Sequence, residues 1–184
     1  MEEGVEPLNK KKKKKSAEDD FEDLIVTDDE SDIEPVYTDG SASSNGRAGA
    51  VAGVGVYFGT GDPRNISERL KGEVQTNQRA ELTAILRALE SVPLDQKIRI
   101  FSDSKYSISC VTEWYVNWQK NGWKTKDGIV KNKDLIEAIR TKIDERTQAG
   151  TGTFFQWVKG HAAEAGNVAA DKLAVQGAKL KAEA

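Results

Sequence analysis

The stretch TNQRAELTAILRALESVPLDQKIRIFSD, residues 76–103, decides the fold class. Leu82, Ile85, Leu86 and Leu89 recur at i, i+3, i+4 and i+7, the apolar stripe of an amphipathic helix that Val92-Pro93 brings to an end. A few residues on, the period changes from helical to alternating. Ile98 and Ile100 are interleaved with Arg99 and Phe101, so KIRIFSD reads as a strand. Upstream, PVYTDGSASS, AGAVAGVGVYF and ISERLKGEV are separated by Gly, Asn, Asp and Pro clusters and read as three strands of an antiparallel meander. Downstream, SKYSISCVTEWYVNWQKN reads as a helix, GWKTKDGIVKN as a basic loop, KDLIEAIRTKIDERTQ as a helix and GTFFQWVKG as a fifth strand. In the closing helix AEAGNVAADKLAVQGAKL, residues Ala170, Leu173, Ala174 and Gly177 form a narrow inner face. The order βββαβααβα, without an internal repeat, predicts one α/β domain with a mixed sheet over residues 35–184.

Residues 1–34 have a different character. Six consecutive lysines, Lys10 to Lys15, precede the acidic segment EDDFEDLIVTDDESDIE, so residues 1–35 carry 6 Lys against 13 acids while residues 36–184 carry 21 Lys and Arg against 17 acids. Low apolar content and high charge predict a disordered tail ahead of a mildly basic domain that tolerates a polyanionic partner. Leu24, Ile25 and Val26, an apolar island among acids, resemble a SUMO-interacting motif able to add as an edge strand to a partner's sheet. The lysine run reads equally as a nuclear address, a nucleic-acid contact or a solvated charge block. No apolar run approaches the ~20 residues of a membrane span, and the acidic N-terminus lacks the features of a secretory or transit peptide. The expectation is an intracellular monomer, cytoplasmic or nuclear, with no membrane partner. One cysteine, Cys110, and one histidine, His161, leave no Cys/His zinc constellation, so any metal must be held by oxygen.

Four acids stand out by position. Asp39 follows the apolar entry of the first strand, Asp103 ends the fourth, Glu81 lies in the first turn of the first helix on the flank of its buried face, and Asp171 lies beside the inner face of the last helix. Each alone admits an ordinary role as turn residue, helix cap, first-turn acid or surface charge. Together, on parallel strand ends facing one crevice, they would make a negative site that divalent cations must occupy. Magnesium prefers oxygen ligands, and two ions ~3.5–4 Å apart can stabilise both the attacking and the leaving oxygen of a phosphoryl displacement.

Five motifs in order, YTDGSASSNG, TNQRAEL, FSDSKY, NGWKT and GHAAEAGNVAADKLA, closely resemble the catalytic domain of type 1 (RNase HI-like) ribonuclease H across about residues 35–181. The resemblance implies a ribonuclease H-like fold: a five-stranded mixed sheet, its first three strands antiparallel, flanked by helices. It implies an endonuclease that hydrolyses the RNA strand of RNA–DNA hybrids with two Mg²⁺ ions, for which Mn²⁺ could substitute, leaving 5′-phosphate and 3′-hydroxyl ends. One ion would be held by Asp39 and Asp171 and activate the attacking water. The other would be held by Asp39, Glu81 and Asp103 near the leaving oxygen. His161 matches a loop histidine that assists product protonation or release. Gly40, Ser41, Asn45, Asn77 and Gln78 would contact the RNA strand, where the 2′-hydroxyl is the chemical mark to be read. Thr76 and Asn132 match a DNA-phosphate pocket, and Trp114 and Trp118 match aromatics along the DNA channel, beside Lys120, Lys124, Lys126, Lys131 and Lys133. Val74 stands where the family often has arginine, and Ala162, Ala163 and Val168 replace commoner Ser, Gly and Glu. Two further readings are a retroelement-derived ribonuclease H domain, in the wider fold group of integrases and DNA-cleaving nucleases, and a non-catalytic hybrid-binding protein. The presence of all four acids argues against the last.

Overall fold

The computed structural model of the chain describes residues 30–160 and 164–182, and the residues from Asp32 onward form one unit. Lys10 to Lys15, Leu24 to Val26 and His161 to Ala163 lie outside the described residues. The strands are β1 (Glu34–Ser43), β2 (Val51–Tyr57), β3 (Ile66–Arg69), β4 (Ile98–Ser102), β5 (Lys124–Thr125), β6 (Gly128–Ile129) and β7 (Thr153–Trp157). The helices are α1 (Asn77–Glu90), α2 (Lys105–Ser109), α3 (Tyr115–Asn121), α4 (Lys133–Gln148) and α5 (Ala165–Ala178). The main sheet has the order β3-β2-β1-β4-β7, with β1 antiparallel to β2 and β2 to β3, and parallel pairs β1–β4 and β4–β7. This is the mixed five-stranded sheet expected from the alternating segments.

Three local features depart from the sequence reading. The segment 104–121 is helical, but a π-helical turn at Cys110–Trp114 separates α2 from α3. The basic loop contains the small β5–β6 hairpin, too short for any alternation to register. The third strand stops at Arg69, because Leu70 to Gly72 turn back over the buried side chain of Gln75. That amide donates to the carbonyls of Leu70 and Gly72 and accepts from the Ala52 N–H at 2.8 Å, so one polar side chain satisfies three backbone groups just before α1 begins.

The two faces of the sheet are covered by different kinds of packing. On one, Ala52, Val54 and Val56 of β2 and Val36 of β1 join Leu82, Ile85 and Leu89 of α1 and Ile136, Ile139 and Ile143 of α4 in a continuous apolar core. On the other, α5 lies almost directly on the backbone of β2. A methyl group at Gly53 would overlap the Ala174 carbonyl and the Ala178 amide, and one at Gly55 would overlap the Ala170 carbonyl. The small inner face of α5 and the two β2 glycines therefore form one close contact. Leu173 stands at the margin of that face, half-buried.

Arg146, at the end of α4, is fully buried, and its partners among the described residues are neutral oxygens rather than carboxylates. It donates to the carbonyls of Pro93 and Gln96 and to Thr153 Oγ1 at 2.9 Å, fastening the α1–β4 connection to β7. Arg146→Ala leaves those acceptors buried and unmet, so a loss of about 3 kcal/mol is expected in urea unfolding; an unchanged midpoint would refute the fastening role.

Candidate active site

The parallel register of β1 and β4 creates the site. Tyr37 pairs with Phe101, so two residues further on Asp39 and Asp103 arrive side by side at the same level of the sheet. Asp39 sits inside β1, opposite Gly55 of β2, and since Gly55 lies under Ala170 this face of β1 looks toward α5. Glu81 comes from the other direction. Gly40, the next residue of β1, lacks the Cβ that would strike the Glu81 amide, so the first turn of α1 approaches the strand closely. Glu81 is consequently 8% exposed, buried and turned to Asp39 rather than on the flank of the helix.

Asp39, Glu81 and Asp103 each offer an oxygen within 4.8 Å of the others. Asp171 is exposed and does not belong to that mutually close set, yet it stands near enough to Asp39 to add to the rise of that group's pKa. Burial pushes its pKa up to about 7, with the charges of Asp103 and Asp171 adding to the rise and a hydrogen bond to Glu81 opposing it. Burial, then the neighbouring Asp39 and Asp103, hold the Glu81 carboxyl well above the usual range, while a hydrogen bond from the Gly40 amide opposes this.

The residues fit a hard divalent cation. Glu81 Oε2 is buried without a hydrogen-bond partner among the described residues, and all donors are carboxylate oxygens, the set that suits Mg²⁺ or Mn²⁺. A proton and a cation compete for Asp39. Its folded-state pKa lies above the unfolded value of about 4, so in cation-free protein its contribution to stability is complete below about pH 4 and lost as pH rises through 7. The rise in melting temperature caused by Mg²⁺ should therefore be larger at pH 8 than at pH 6. Equal rises would show that Asp39 takes no part in binding.

The polar residues at the mouth are already organised. Asn77 Oδ1 accepts the Ala42 N–H at 2.7 Å and Asn45 Oδ1 accepts the Asn77 N–H at 2.9 Å, tying the β1–β2 turn to the start of α1. Each asparagine thereby spends its carbonyl on the fold and retains its amide donors for an outside acceptor. Gln78 is exposed at the helix start, and Ser41 is half-buried near the end of β1. Thr76 caps α1 by accepting the Arg79 N–H. The Arg79 guanidinium in turn reaches Asn132 Oδ1 at 3.4 Å and pairs with Asp134, so Thr76 and Asn132 meet around one arginine that spacing alone does not reveal. Val74 is 57% exposed beside them.

The tryptophans divide between the two roles open to them. Trp114 is 41% exposed, Trp118 packs partly against the core, and Trp123 is buried in it. Tyr106, Trp114, Trp118 and Trp123 form a chain of ring contacts with centroids 6.0–6.2 Å apart. Lys120, Lys124, Lys126 and Lys131 are exposed around it, whereas Lys133 pairs with Glu137 at 3.4 Å.

A mixed sheet with three carboxylates gathered where β1, β4 and α1 meet, and a fourth carried nearby on α5, defines an α/β domain with an acidic cluster suited to a divalent cation. The RNase H family model matches residues 32–179, and the chain belongs to the ribonuclease H family. Ribonuclease H of Schizosaccharomyces pombe is 50% identical over 149 residues, 80% of this chain and 54% of that protein. Human Ribonuclease H1 is 42% identical over 154 residues, 80% of this chain and 51% of that protein. The chain thus spans about half the length of these relatives. Ribonuclease HI of Rickettsia prowazekii is 38% identical over 143 residues, 77% of this chain and 88% of that protein. Among solved structures, LC9-RNase H1, a type 1 RNase H with the type 2 active-site motif, aligns with a TM-score of 0.61 at 29% identity, over 78% of this chain and 71% of that one.

Proposed function

We propose that the domain is an endonuclease that hydrolyses the RNA strand of RNA–DNA hybrids with two divalent ions, leaving 5′-phosphate and 3′-hydroxyl ends. The observation that carries the reading is the gathering of oxygens of Asp39, Glu81 and Asp103 within 4.8 Å of one another, with Asp171 near enough to Asp39 to raise its pKa. Asp39 and Asp171 would hold one ion, and Asp39, Glu81 and Asp103 the other. Two bound cations supply water activation and stabilisation of the leaving oxygen, chemistry that needs no protein nucleophile. Gly40 contributes by its missing side chain and by its amide, which keeps Glu81 facing inward. Asn45, Asn77 and Gln78, with the backbone at Gly40 and Ser41, would meet the RNA strand at its 2′-hydroxyls. Thr76, Asn132, Trp114 and Trp118 would hold the DNA strand, with the exposed lysines following its phosphates. His161 would assist transfer of a proton to the departing product, so its loss should slow turnover without abolishing it.

A cleavage assay with each strand labelled in turn, on hybrid, duplex RNA and duplex DNA, with and without Mg²⁺, tests the reading. Cutting of the RNA strand of the hybrid alone, and only with the ion, is the expected pattern. Cleavage of duplex DNA at the same rate would overturn the substrate assignment.

A further inference from the structure

We infer that Trp157 is a positioning residue for Asp103, an inference that rests on the cation-holding role of Asp103 proposed above. β4 ends at Ser102, so the acid lies one residue beyond the regular ladder. The last rungs toward β7 are the Ser102–Trp157 pair and the bond from the Val158 N–H to the Ser102 carbonyl at 2.9 Å. Past that point the Asp103 carbonyl accepts the indole Nε1–H of Trp157 at 3.1 Å, a side-chain bond where the ladder has run out. The ammonium of Lys105, two residues after the acid, stands 4.2 Å from the centroid of the same indole ring. One side chain thus grips the segment 103–105 by its carbonyl at one end and its cation at the other.

The exit of β7 also borders the carboxylate itself. A Cβ on Gly160 would lie 3.1 Å from Asp103 Oδ2, so the backbone after Trp157 closes that side of the acid. Trp157 is 41% exposed, and burial alone therefore gives little reason for so large an apolar side chain here. Its hydrogen bond and its cation contact supply one: they fix the backbone from which Asp103 projects, and with it the direction of the carboxylate.

Trp157→Phe tests this. It keeps a smaller aromatic face for Lys105 while removing the N–H, and the exposed site lets the variant fold. The first readout is the Mg²⁺ affinity of the protein without nucleic acid, taken from the Mg²⁺ dependence of the melting temperature. An affinity about tenfold weaker than wild type is expected, in line with the loss of other groups that orient metal ligands. The second readout is hybrid cleavage, where kcat should fall at limiting Mg²⁺ and recover as Mg²⁺ is raised, with KM for the hybrid unchanged. Wild-type Mg²⁺ affinity in the variant overturns the inference, whether or not its melting temperature in the absence of Mg²⁺ has dropped. So does a raised KM with unaltered Mg²⁺ affinity, which would make Trp157 a substrate contact. If wild-type protein neither gains stability from Mg²⁺ nor cleaves, the reading of the acids fails first and the role of Trp157 falls with it.

Discussion

Asp39→Asn should lower the rate of hybrid cleavage by roughly a thousandfold, about 4 kcal/mol in the barrier, while leaving hybrid binding within a few-fold of wild type. Asp39 belongs to the close cluster with Glu81 and Asp103 and is also the carboxylate whose pKa Asp171 raises, so neutralising it weakens both proposed ion positions at once. The shape of the site hardly changes, because Asn is isosteric and Asp39 lies within β1, flanked by β2. The same variant should be more stable than wild type in EDTA at pH 8. Asp39 is 4% exposed among other acids with its pKa raised to about 7, so at that pH its charge is held against both burial and neighbours. Relieving that cost is worth of order 2 kcal/mol, a rise of roughly 4–8 °C for a domain of this size, and the gain should shrink as the pH falls from about 7 and vanish below about 4. Steady-state cleavage, hybrid binding in Ca²⁺ or EDTA and thermal melts at two pH values check the three parts. A variant that cleaves at near wild-type rate would end the two-ion reading.

Gly53→Ala should destabilise the domain by about 3 kcal/mol or more, lowering its melting temperature by roughly 10 °C, although it adds a single methyl group to a strand. Small-to-large changes in a core are usually absorbed by neighbouring side chains. Here the obstacle is backbone, the Ala174 carbonyl and the Ala178 amide, which no rotamer change can clear. Helix α5 must lift from β2, and Asp171, carried on that helix one residue after Ala170, must move with it. Activity in the fraction that folds should therefore fall together with Mg²⁺ affinity. A melting temperature within 2–3 °C of wild type would show that α5 is not seated as described.

Much of this arrangement is legible in the sequence. The bounds of α4 match the periodic segment at both ends, and α1 occupies the segment marked by the stripe from Leu82 to Leu89. The four acids can be singled out by position: Asp39 after the apolar entry of its strand, Asp103 just past the end of β4, and Glu81 and Asp171 beside the buried faces of their helices. Local geometry that depends on contacts distant in sequence is not legible in this way. Helical spacing alone places Glu81 at the edge of the stripe. Only the gap left by Gly40, forty-one positions earlier, brings it inside. The β5–β6 hairpin is too short for alternation, and the π-helical turn at Cys110–Trp114 has no composition of its own. Gln75, Arg79, Arg146 and Trp157 are, in the sequence, only a polar residue, two charges and an aromatic. Their partners lie on other elements, and a hydrogen bond to a distant carbonyl leaves no periodic trace.

The parallel register that sets Asp103 beside Asp39 joins segments of the chain sixty-four residues apart, with β2, β3 and α1 lying between them in sequence. The unfolded polypeptide carries the same acids and has no such centre. A cation captured there recognises the folded state alone, so by mass action each tenfold increase in Mg²⁺ above its dissociation constant adds about 1.4 kcal/mol to the free energy of unfolding. In the proposed reaction the ion would then serve the protein twice, as a participant in chemistry and as a ligand that favours the assembled sheet.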